Sequence, residues 1–124
     1  MTTLQNKIDF ALIFAAKNAN PNGDPLGGNR PRTTSDGYGE VSDVCLKRKI
    51  RNRLQESKSE IFVQMDENNT DGNKSLSDRF NNFLSLLNKD EQKIREVVAA
   101  KACEKWIDVR SFGQVFAFKK GKDT

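Results

Sequence analysis

The chain has 124 residues, enough for one domain and not comfortably for two. Hydrophobic residues make up 35% and charged residues 31%, with a net charge of +4, a lean and wet composition that still lies above the disordered regime. There is no histidine, which removes the commonest general base and the commonest zinc ligand. The two cysteines, Cys45 and Cys103, have no metal-ligand spacing and read as reduced packing thiols of a cytoplasmic protein. The N-terminal residues lack a basic region followed by an apolar core, so no signal peptide is expected. No apolar run approaches the roughly 20 residues a membrane span needs, so no membrane partner is expected.

Residues 8–16 alternate. Ile8, Phe10, Leu12, Phe14 and Ala16 share one side, and Ala11, Ile13 and Ala15 lie on the other, a pattern that predicts a strand covered on both faces at its far end. Residues 17–40 hold all three prolines, Pro21, Pro25 and Pro31, and most of the glycines. Asn20-Pro21-Asn22-Gly23-Asp24-Pro25 fits neither helix nor strand, because Asn-Gly tolerates positive φ and each proline removes a donor. An irregular stretch of this length reads either as a functional loop, whose turns aim amides at an anion, or as an ordinary surface turn.

From Asp43 a helix is predicted, with Ser42 or Asp43 as N-cap. At a helical turn of about 3.6 residues, Leu46, Ile50 and Leu54 form a face for burial, and Lys47, Arg48 and Arg51 an adjoining basic face. Five of the 21 basic residues lie between Lys47 and Arg53. They suit either a polyanion or simply the negative end of the helix dipole. Ile61, Val63 and Met65 predict a short strand over residues 60–65, followed by a polar loop to Lys74 that lacks calcium-ligand spacing.

Residues 75–87 are the clearest helix, with a Leu76, Phe80, Phe83, Leu84 and Leu87 stripe and a Ser75/Asp78 start. Asn88 with Glu91 offers a second cap, opening a helix through about Lys105 whose apolar side carries Ile94, Val97, Val98 and Ala102. Residues 106–119 return to strand chemistry, with Val115-Phe116-Ala117-Phe118 as a strand and Gly113 as a bend.

The acidic candidates for catalysis, Asp9, Asp24, Asp36, Asp43 and Asp108, are scattered with no paired spacing, so no catalytic or metal site is assigned. For nucleic acid, the basic helix, the loop bearing Arg30 and Arg32, and Arg110 are suited to phosphate contacts that give affinity without sequence preference.

Three blocks are more specific: Asn20-Pro21-Asn22-Gly23-Asp24-Pro25, Gly28-Asn29-Arg30-Pro31-Arg32, and Ser42-Asp43-Val44-Cys45-Leu46-Lys47-Arg48-Lys49-Ile50-Arg51-Asn52. In this order they resemble the backbone subunit of type I CRISPR Cascade complexes. The later Trp106-Ile107-Asp108-Val109-Arg110-Ser111-Phe112-Gly113-Gln114-Val115-Phe116-Ala117 looks like the type I-C member in particular. The resemblance covers nearly all of the chain but only the N-terminal part of the family's length. It implies an α+β fold, an RRM-like (ferredoxin-type) palm with helical insertions. Residues 1–124 would then be one palm-domain fragment, with a motif loop at about 17–40 and a helical insertion at about 75–105.

The resemblance further implies a non-catalytic antiviral subunit without cofactors. Its partners would be CRISPR RNA, target DNA, neighbouring copies of itself and other Cascade subunits. On this chain, RNA binding would fall to Asn22, Arg30, Arg32, Lys47, Arg48, Lys49, Arg51 and Arg110. The alternatives are an interaction fragment that joins Cascade proteins without productive RNA binding, and a metal-dependent nuclease using Asp24, Asp43 or Asp108.

Overall fold

The computed structural model describes residue 6, residues 9–65, residue 67 and residues 69–117. It contains two short strands, β1 (Gly23–Asp24) and β2 (Arg30–Pro31), and four helices, α1 (Asp43–Glu56), α2 (Leu76–Ser85), α3 (Arg95–Lys105) and α4 (Ile107–Phe112). Pro25–Gly27 and Glu91–Lys93 are 3-10 turns. The mixture of helices with a small sheet is compatible with the expected α+β class. The chain divides into two compact units, one ending at Cys45 and one beginning at Leu46.

In the first unit β1 and β2 pair antiparallel, Gly23 opposite Pro31 and Asp24 opposite Arg30. The turn between them follows from its residue types. The Asp24 carboxylate accepts from the Leu26 amide at 3.0 Å, and Pro25 supplies a first helical position that needs no donor. Gly28 then adopts φ 67°, a left-handed conformation that glycine enters without strain. A Cβ at Gly23 would collide with the Asn29 carboxamide, so glycine there permits close packing. A second turn closes at Thr34, whose amide donates to the Tyr38 carbonyl at 2.8 Å. The stretch predicted as irregular is thus ordered by its own polar groups.

Residues 9–16 form no strand. Phe10 is 83% exposed and Ile13 93% exposed. Alternation creates a demand for burial, and no described residue pairs with this segment to meet it. Ile8 lies outside the described residues.

The second unit has a core of Phe62, Phe83, Ala102, Trp106 and Val109. Phe62 and Trp106 have ring centroids 4.7 Å apart, Phe83 and Trp106 4.8 Å, and Phe80 stacks on Phe116 at 4.3 Å. The predicted α2 stripe of Leu76, Phe80, Phe83, Leu84 and Leu87 supplies one wall. Ser75 caps α2 by accepting from the Asp78 amide at 3.0 Å. Asn88 and Glu91 cap each other, with the Glu91 amide donating to Asn88 at 2.9 Å and the Asn88 amide to Glu91 at 3.2 Å.

Two strand expectations in this unit are overturned. Residues 60–65 form a bent loop in which the successive residues Ile61 and Phe62 are both buried. Their backbone groups are bonded by side chains rather than by a ladder. Arg79 donates to the Phe62 carbonyl at 2.9 Å, and Gln64 to that of Ile61 at 2.9 Å. Residues 107–112 are helix α4, set off from α3 by an extended Trp106 and burying Asp108 and Val109. Gly113, at φ 74°, ends the helix by donating to the Val109 carbonyl at 2.9 Å. Residues 113–117 carry no strand, and Phe118 lies outside the described residues.

Candidate nucleic-acid interface

In the first unit the start of α1 is tied to the turn region. Ser42 is the N-cap, its hydroxyl accepting from the Cys45 amide at 3.3 Å. The Asn22 carboxamide oxygen accepts from both the amide and the hydroxyl of Ser42, each at 2.9 Å. The Cys45 thiol donates to the Pro21 carbonyl at 3.3 Å. Asn22 therefore sets where the basic helix begins. Arg32 pairs with Glu40 at 2.8 Å, and that hydrogen bond and charge raise its pKa above the usual arginine value. Arg30 is exposed on β2.

In the second unit the basic residues of α1 separate by depth. Leu46, Ile50 and Leu54 are half-buried as the spacing predicts. Lys49 is exposed. Arg48 donates from Nη1 to the Val63 carbonyl at 2.8 Å. Arg51 donates from Nε to Asp108 at 2.9 Å, and its side chain is only 13% exposed. Asp108, 1% exposed, also accepts from the Phe62 amide at 2.8 Å and the Val63 amide at 3.1 Å. One carboxylate thus joins α1, the loop at 61–63 and α4. Burial, followed by repulsion from Arg51, lowers the pKa of Arg48, while attraction from Asp108 acts against this.

Phe112, at the end of α4, was not among the expected site residues. The Lys47 ammonium lies 5.6 Å from its ring centroid and the Arg51 guanidinium 5.0 Å. The signal available was an aromatic one turn beyond Asp108, legible only once residues 107–112 are read as helix. Arg110 is exposed on the same helix. The structure accordingly brings Lys47 and Arg51 to the Phe112 ring and Arg51 to Asp108, holds Arg48 on the Val63 carbonyl, and places Lys49 and Arg110 at the surface.

The acidic residues weighed as nuclease ligands have local duties. Asp24 caps a turn and Asp43 lies in the first turn of α1, where a carboxylate suits the helix dipole. Asp108 is bonded as described. Among the described residues, no three Cys, Asp or Glu side chains are grouped to hold a metal ion. No helix among them is long and apolar enough to cross a membrane.

Comparison with known proteins places this arrangement in a family. The profile of CRISPR-associated protein Cas7 matches residues 6–124, and the chain belongs to that family. A CRISPR-associated protein Cas7 from Haloferax volcanii is 34% identical over 122 residues, covering 96% of this chain and 34% of that protein. The chain therefore spans about a third of the length of the curated relative it matches.

Proposed function

We propose that this chain is the N-terminal portion of a non-catalytic backbone subunit of a type I-C Cascade complex. It grips the phosphates of a CRISPR RNA and helps present the guide to target DNA. The observation that carries this reading is the set of cations held on α1 and beside it: Lys47 and Arg51 at the Phe112 ring, Arg48 on the Val63 carbonyl, and Lys49 and Arg110 exposed. Family membership supplies the CRISPR context. The cations suit a backbone, which every RNA sequence shares, better than they suit particular bases. Arg30 and Arg32 are further phosphate contacts in this reading, and Asn22 contributes by fixing the helix start. The α+β content is compatible with an RRM-like palm whose further strands come from sequence that this chain does not contain. Other Cascade subunits and neighbouring copies of the same subunit are the protein partners, in the cytoplasm.

The test is binding of single-stranded RNA across a salt series. Lys47→Ala, Lys49→Ala and Arg110→Ala should each flatten the log–log slope by about 0.7 for a lost phosphate contact. A triple variant that binds RNA with the wild-type slope overturns the assignment. One observation favours a second reading, an interaction fragment that joins Cascade proteins without holding RNA: Phe10, Leu12, Ile13 and Phe14 are exposed. Co-purification with the other subunits free of RNA would select it.

A further inference from the structure

Residues 10–16, Phe10-Ala11-Leu12-Ile13-Phe14-Ala15-Ala16, contain no charge, no proline and no glycine. They form neither helix nor turn, and all of them are exposed. Among the described residues, no backbone hydrogen bond involves them. Strands β1 and β2 do not supply a ladder for them, because each is only two residues long and they pair with each other. A run of this length, with β-forming side chains, open backbone groups and no charge, is a template for a further strand. Its two ends are unlike. Asp9 precedes it and Lys17 follows it, both exposed, and each lies four positions from Ile13. Asn18, at φ 52°, turns the chain directly after Lys17.

We infer that two copies of this chain pair through residues 9–17 as antiparallel strands, with a two-fold axis at Ile13. The charges select this register. It sets Asp9 of each copy opposite Lys17 of the other, whereas parallel strands in register would oppose like charges at both ends. The sizes agree with it. Phe10 faces Ala16, Ala11 faces Ala15, Leu12 faces Phe14 and Ile13 meets its own copy, so no two phenylalanines are directly opposed. Phe14 and Ala16 also border a groove of about 500 Å³ with Pro21, Pro31 and Val41. The same register brings Leu12 and Phe10 of the second copy alongside those two residues, at the edge of the groove. Each copy thereby gives the two-stranded ribbon an apolar support that such a ribbon lacks alone. An isologous contact of this kind is complete with two copies. It goes beyond the RNA-binding reading and does not depend on it, since none of the cations assigned to phosphate lies within residues 9–17.

The test is sedimentation equilibrium of the whole chain at low ionic strength, where exposed charges are least screened. The wild type should pass from monomer to dimer as its concentration rises, and dilution should return the monomer with these side chains exposed. Asp9→Lys and Lys17→Asp each turn both end pairs from attraction to repulsion. Each should weaken the dimer by about tenfold or more, with the melting temperature of the dilute protein unchanged. Mixed together, the two variants again oppose unlike charges and should associate as the wild type does. Single variants that dimerise like the wild type overturn the register, and so does a mixture that fails to recover. A wild type that stays monomeric at every concentration overturns the pairing. So does a chain that is monomeric alone and holds another Cascade subunit through this segment, which would assign the strand to that partner. RNA binding by the dilute monomer is read separately and stands or falls on its own.

Discussion

The two units order themselves by different means. In the first, the order lies in turns and polar bonds. Asp24 caps a turn, Asn22 holds Ser42, and Arg32 pairs with Glu40, while Phe10, Ile13, Leu26 and Tyr38 stay exposed. In the second, apolar residues find one another. Phe62, Phe83 and Trp106 meet in a common core, and the polar groups that enter it arrive already paired. The difference comes from periodicity. A helical stripe is completed by neighbours a turn away and then needs one facing surface, as α2 and α3 provide. A strand's alternation is useless without a partner ladder, which residues 9–16 do not have.

Four perturbations sharpen the contrast. Trp106→Ala should be the most damaging, destabilising the second unit by about 3–5 kcal/mol in urea denaturation, because it empties the centre of the core. Asp108→Asn comes next, at about 1–3 kcal/mol, since it keeps one acceptor but leaves Arg51 without its counter-charge. Asn22→Ala removes the acceptor shared by the Ser42 amide and hydroxyl. Its expected cost is about 1 kcal/mol, read as fraying of the first turn of α1 by amide exchange. Ile13→Ser should lie within about 0.5 kcal/mol of wild type, and a large loss there would mean that this segment is buried in solution.

Acid offers a complementary probe of the second unit. Hydrogen bonding to Arg79, chiefly, pulls the Asp71 carboxyl down to about 2 from its usual value of 3.8. Because the folded value is the lower one, this pairing contributes fully above about pH 4 and is lost as pH falls towards 2. Melting temperature should therefore drop over that window, and Asp71→Asn should reduce the drop.

Much of the helical unit was legible in the sequence, because its signals are local. The Ser75 cap, the Asn88–Glu91 pair and the α2 stripe each need only a few adjacent residues to read. The misses are long-range. Residues 60–65 look like a strand until Asp108, Arg48 and Arg79 claim the backbone groups a strand would offer. Residues 107–112 look extended until Asp108 and Val109 are seen to be buried together on a short helix. The site divides the same way. The clustering of Lys47, Arg48 and Arg51 was plain, but the commitment of Arg51 to a carboxylate 57 positions away was not. Nor was the place of Phe112 against two cations.

The loop at 61–63 carries a lesson about substitution. A ladder is encoded redundantly, since any residue with a free amide and carbonyl sustains it. Here Arg48, Arg79 and Asp108 satisfy that backbone from three different helices. A conformation that would ordinarily tolerate almost any sequence has become dependent on the identity of three distant charged side chains. Exchanging any one of them for a residue of similar size would erase information about the path of the main chain, and the tripeptide itself would show no change.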